Sequence, residues 1–125
     1  MPNGTLLPDA SNLGLVLNRL RQTIDAKNKF LTSLRQLYDG IDDFDVRING
    51  GYVQPFLHEG ERLIPASRLS DGTLRYLCLL AILCDPDPPP LICIEEPELG
   101  MHPDVLPTIA GLLKDASTRT QLIVT

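Results

Sequence analysis

Leu91-Ile92-Cys93-Ile94-Glu95-Glu96-Pro97-Glu98 is the stretch on which the reading of this 125-residue chain turns. Four apolar residues in a row predict a short strand buried on both faces of a parallel sheet. Two adjacent carboxylates then stand at its C-terminal end, where open α/β sheets keep their ligand crevices. Hard divalent cations such as Mg²⁺ take oxygen ligands, and one or two carboxylates plus phosphate oxygens satisfy them. A second carboxylate beside such a metal orients or deprotonates a water molecule. Four apolar residues before two acids also describe a plain solvated strand end, so the neighbouring segments decide.

Downstream, Pro103 opens a helix with Val105, Leu106, Ile109, Leu112 and Leu113 on one side, and Gln121 to Thr125 begins another β-rich run. Strand, helix and strand in that order form a βαβ crossover, which puts this half in the α/β class. Upstream, Asp85-Pro86-Asp87-Pro88-Pro89-Pro90 reads as a loop without helix. The segment Leu74 to Leu83 is too uniformly apolar for a surface helix and reads as a buried one. Arg68-Leu69-Ser70-Asp71-Gly72-Thr73 stands directly before it. A serine hydroxyl, a glycine that lets backbone approach, and the free N–H groups of a helix start together make an anion site. The same residues also make an ordinary N-cap and turn.

Further upstream, residues 9–41 read as a helical hairpin. Leu13, Val16, Leu17, Leu20 and Ile24 repeat at helical spacing, with Ser11 or Asn12 as N-cap. Phe30, Leu34, Leu37 and Ile41 mark a second helical face, and Asp39-Gly40 supplies its stop. The period then changes. Residues 43–65 read as an antiparallel meander: Phe44, Val46 and Ile48 alternate with polar residues, and Asn49-Gly50-Gly51 turns the chain. Tyr52 to Leu57 returns, with Pro55 pointing to an edge position or a bulge, and Glu59-Gly60 turns again into Arg62-Leu63-Ile64. His58 sits at the rim of this meander as a surface residue.

Composition narrows the function. Eleven Asp and five Glu against three Lys and eight Arg leave a net charge of −5, which argues against a surface wrapped in nucleic acid. Three Phe, three Tyr and no Trp make a base-stacking platform a poor fit. Cys78, Cys84 and Cys93 have no CxxC spacing and sit in apolar runs, so they read as buried thiols of a reducing compartment. The first residues lack the basic and apolar regions of a signal peptide. The longest apolar run, Leu77 to Cys84, is far short of the ~20 residues of a membrane span. A soluble, cytoplasmic protein is the expectation.

Taken together, the order and spacing of these segments resemble the C-terminal half of an ATPase of the ABC superfamily. More narrowly, they are similar to the predicted ATPases related to OLD-type, RecF-type and structural-maintenance-of-chromosomes (SMC) proteins. Leu69-Ser70-Asp71-Gly72-Thr73 stands where that superfamily has its LSGGQ signature, and Leu91 to Glu96 where it has the Walker B strand. Pro97-Glu98-Leu99-Gly100-Met101-His102-Pro103 matches the following D-loop, and Gln121 to Thr125 the strand leading to the switch histidine. The resemblance implies a partial P-loop NTPase fold in residues 66–125, with ATP and Mg²⁺ as cofactors. It implies that Ser70 and Gly72 hold the γ-phosphate of an ATP bound to a partner subunit, since the superfamily closes two sites across a head-to-tail dimer. Glu95 would hold Mg²⁺ through water, Glu96 would polarise the attacking water, and His102 would help form the dimer contact. Glu95 stands where Asp is usual, and Asp71 puts a carboxylate where the signature has Gly, so its side chain must point away, capping the helix.

No GxxxxGK[ST] occurs, and no glycine is followed by lysine. The chain is therefore expected to hold one half of each composite site and not to hydrolyse ATP alone. Its expected partners are a second copy or a complete ATPase subunit, with DNA or a nuclease implied through the family. Two other readings differ in class. One is a non-catalytic interaction module that docks onto a complete ATPase. The other is a carboxylate–metal hydrolase using Glu95, Glu96 and Glu98 without nucleotide.

Overall fold

The computed structural model describes residues 13–125. Helix α1 (Leu13–Leu20) and helix α2 (Ile24–Leu34) form the hairpin, and its expected N-cap, Ser11 or Asn12, lies outside the described residues. Val16, Leu17 and Leu20 of α1 are buried, but Ile24 is 72% exposed. The chain turns between the two helices, so α2 starts a new phase and Ile24 points outward from its first turn. Helix α2 also ends earlier than its apolar spacing predicts. Leu37 and Ile41 reach the core from the irregular segment beyond it. The Arg35 guanidinium explains the early end: it donates to the Ile41 carbonyl at 2.7 Å and the Asp42 carbonyl at 2.9 Å, folding the chain back.

Strands β1 (Asp43–Asn49), β2 (Tyr52–Glu59) and β3 (Arg62–Pro65) form an antiparallel sheet in that order. Asn49 pairs with Tyr52, leaving a two-residue turn in which Gly50 (φ 56°) and Gly51 (φ 85°) are both left-handed, the geometry that matches strand twist. Pairing of β2 with β3 begins at Phe56↔Pro65, so Pro55 has a neighbour strand on one side only and its missing N–H costs no ladder bond.

A short 3₁₀ turn (Ala66–Arg68) leads into α3 (Asp71–Leu83), which packs against α1, α2 and α4 (Leu106–Ala116). Tyr76, Leu77, Leu79, Leu80, Ala81 and Leu83 are buried, so α3 is the central helix of the core. The fully buried Tyr76 donates its hydroxyl to the Ser33 carbonyl at 2.7 Å, and burial pushes the phenol up to about 12. Tyr76→Phe is expected to lower stability by about 1 kcal/mol in urea denaturation, with the m-value unchanged, because one buried bond is lost while ring packing stays. Ion pairs brace the same helices. Lys29 of α2 and Arg119 reach Asp115 of α4 at 2.6 and 2.8 Å, holding that carboxyl below the usual carboxylate range. Arg119 also donates to the Leu83 carbonyl at the end of α3 (2.7 Å). Arg19 of α1 pairs with the buried Asp85 that follows α3.

Strands β4 (Leu91–Ile94) and β5 (Gln121–Val124) pair in parallel across the α4 crossover. Here the expectation of burial on both faces fails. Ile92 and Ile94 face the core, whereas Leu91 is 47% exposed and Cys93 is exposed as well. With β5 as its hydrogen-bonded neighbour among the described residues, β4 is covered on one face, and its side chains alternate accordingly. Cys93 is thus not a buried thiol. Cys84 is, and burial pushes it up to about 12. No described helix is long and apolar enough to cross a membrane.

Candidate nucleotide site

The Ser70–Thr73 segment forms the N-terminus of α3. Ser70 is the N-cap: its Oγ accepts the Thr73 N–H at 3.2 Å while its hydroxyl donates to Thr73 Oγ1 at 2.9 Å. The N–H bond uses one lone pair, so the hydroxyl proton stays free to rotate to another acceptor without loss of the cap. Asp71 does not cap the helix, contrary to expectation, because Ser70 already holds that position. It is the first helical residue, exposed, where its charge suits the positive end of the helix dipole. At Gly72 a side chain's Cβ would lie in ordinary contact with the Gly100 carbonyl oxygen, 3.6 Å away, so the start of α3 sits against the turn that follows β4.

Glu95 and Glu96 follow β4 and are both exposed. The Thr125 N–H donates to the Ile94 carbonyl (3.1 Å), and the Glu96 N–H donates to the Thr125 carbonyl (3.2 Å), so β5 fixes the height of the carboxylate pair. Glu96 has φ 45°, the left-handed region that a non-glycine enters at a cost of roughly 1–2 kcal/mol. Backbone outliers of this kind gather at functional sites. Its carbonyl accepts the Leu99 N–H at 3.0 Å and the Arg75 guanidinium at 3.1 Å. Pro97 is buried and Gly100, with φ 74°, closes the turn. His102 is exposed, and its Nδ1 accepts the Asp104 N–H at 3.1 Å, which makes it the N-cap of the 3₁₀ turn (Pro103–Val105) leading into α4.

The structure therefore sets the α3 start beside the turn that follows the carboxylate pair, through the Gly72–Gly100 approach and the Arg75 bond to the Glu96 carbonyl. Sequence reading passed over Arg75, a single cation inside an apolar run. Its only signal was its place five residues beyond Ser70. His58 lies elsewhere, in a depression with Arg21, Lys27 and Phe44, 3.9 Å from Asp45. Among the described residues no three His, Cys, Asp or Glu side chains converge as a metal site. Two adjacent exposed carboxylates do fit Mg²⁺ shared with phosphate oxygens, and a serine hydroxyl beside free helix N–H groups fits the phosphates themselves.

Comparison with known proteins gives a family and a fold. The sequence matches the family described as "AAA domain, putative AbiEii toxin, Type IV TA system" over residues 2–125. No curated protein matches it. Among solved structures, the fold is similar to an Smc head bound to the C-winged helix domain of ScpA, with 18% identity and a TM-score of 0.63 over 83% of this chain and 34% of that one. It is also similar to an SMC ATPase studied for ATP-driven dimerization and DNA-stimulated activation, with 16% identity and a TM-score of 0.60 over 88% of this chain and 71% of that one. A Pyrococcus furiosus Smc head bound to the C-terminal domain of ScpA gives 15% identity and a TM-score of 0.63 over 93% and 31%. The chain thus spans about a third of two of these heads. At such identities the likeness is one of fold: a mixed α/β fold like that of SMC ATPase heads.

Proposed function

The chain belongs to this AAA-domain family, and from that premise we propose that it supplies the signature and Walker B half of a composite ATP site closed between two subunits. The observation that carries this reading is the link between the two segments: Arg75, on the helix that begins at Ser70, holds the backbone carbonyl of Glu96, and Gly72 approaches the Gly100 carbonyl of the turn beyond. Bound ATP with Mg²⁺ supplies the transferable phosphoryl group and the neutralisation of its charge. The Ser70 hydroxyl and the N–H groups of the first turn of α3 bind the γ-phosphate of a nucleotide held mainly by the other subunit. Gly72 contributes its backbone N–H to the same phosphate. Glu95 would hold the metal, and Glu96 would orient the attacking water and take up its proton. His102, at the exposed turn before α4, contacts the second subunit. Positioning and charge complementarity supply most of the acceleration in such a site.

The chain lacks a GxxxxGK[ST] motif, so the isolated protein should show no ATP turnover above buffer. Joined to a segment that carries the motif, it should turn over ATP in the presence of Mg²⁺. Turnover by the isolated chain, abolished by Glu96→Gln, would contradict the composite-site reading. Nucleotide-dependent association with a complete ATPase but no added turnover would favour the docking-module reading instead.

A further inference from the structure

We propose that Arg75 is a positioning residue for Glu96, holding its backbone in place from the same helix whose N-terminus receives phosphate. This rests on the reading of Glu96 given above and deepens it. Arg75 is exposed. Its Nη2 donates to the Glu96 carbonyl across 21 residues of sequence, at 3.1 Å. Glu96 is, among the described residues, the non-glycine residue with a positive φ. Such a conformation persists only where its surroundings over-determine it. Here the surroundings are three: the Thr125 carbonyl takes the Glu96 N–H, the Leu99 N–H reaches its carbonyl from the following turn, and Arg75 reaches the same oxygen from α3. Two of these partners lie on the chain directly around Glu96 and its sheet. Arg75 is the one that ties Glu96 to α3.

The consequence is mechanical. Any shift of α3 along its axis moves the Arg75 guanidinium relative to the Glu96 carbonyl and so acts on the conformation that aims the carboxylate. A phosphate seated at Ser70 and Gly72 fixes α3, and Arg75 transmits that fixed position to the base. A guanidinium suits the task because its planar fork restricts the direction of the bond, which a lysine ammonium does not.

The test has two readouts. In the 125-residue chain, hydrogen exchange is followed at the Glu96 and Leu99 amides. Arg75→Ala should speed both by about tenfold while exchange of the α3 core amides stays unchanged. Arg75→Lys should recover part of the protection. In the chain joined to a P-loop segment, Arg75→Ala should lower kcat by about tenfold at unchanged KM for ATP, with partial recovery in Arg75→Lys. Unchanged exchange at Glu96 and Leu99 in Arg75→Ala would overturn the backbone clamp. Faster exchange with unchanged kcat would overturn its role in turnover. Normal turnover by Glu96→Gln would instead overturn the reading of Glu96 itself, and the exchange result would still stand as evidence for the clamp.

Discussion

Replacing Glu96 by Gln, in the chain joined to a P-loop segment, is expected to lower ATP turnover about 100-fold or more while ATP still binds. Gln keeps the volume and the reach of Glu but cannot take up a proton. The backbone bonds that fix residue 96 run through its N–H and carbonyl, to Thr125, Leu99 and Arg75, and none involves the carboxylate. Folding should therefore be untouched, and the melting temperature should stay within a degree or so of the parent, as for surface changes generally. Retained ATP binding follows because phosphate contacts are assigned to Ser70, to Gly72 and to the other subunit. Steady-state hydrolysis near the parent rate would remove Glu96 from the role of base. Loss of ATP binding together with turnover would mean that Glu96 holds the ligand and does not act on water.

Leu80→Ala is expected to cost about 3 kcal/mol, within the usual range for a fully buried leucine, and to lower the melting temperature by roughly 10 °C. Leu80 is 0% exposed and sits in the middle of α3, the helix against which α1, α2 and α4 all pack. The cavity left behind adds its own term to the lost transfer energy. A domain of this size is stable by only about 5–15 kcal/mol, so the loss is a large share of the total. Leu99→Ala is the matched control: that side chain is 56% exposed, and its truncation should move stability by less than about 0.5 kcal/mol. Equal effects from the two would contradict the placement of α3 at the centre of the core.

The legible parts of the fold were those where one local signal dominates. Asn49-Gly50-Gly51 announced the hairpin because two adjacent left-handed residues are needed there and glycine supplies them. The apolar run from Leu74 to Leu83 announced a buried helix because Arg75 is its one charged residue. What failed depended on contacts distant in sequence. Ile24 has the right spacing for α1 but falls after a turn that no Gly or Pro marks. The end of α2 is set by Arg35 reaching carbonyls six and seven residues on, which no window of apolar periodicity detects. Leu91 and Cys93 look identical to buried strand residues, and only the one-sided cover of β4 separates them from Ile92 and Ile94. At the candidate site the acidic pair and the Ser-Asp-Gly turn were legible as types at spacings. The link between their segments was not, because it runs through the Arg75 bond to the Glu96 carbonyl and the Gly72–Gly100 approach, across the fold.

The central claim, that the helix start and the P-loop of one site come from different subunits, is tested most directly by mixing. One variant of the joined protein carries a disabled P-loop lysine, and the other carries Ser70→Arg. Each alone should be inactive, because every site in its dimer has a defect. In the mixed dimer one site combines the intact P-loop of the second variant with the intact Ser70 of the first, and ATP turnover should reappear. Two inactive variants that remain inactive when mixed, while still forming the mixed dimer, would contradict the account and place the whole site within one subunit.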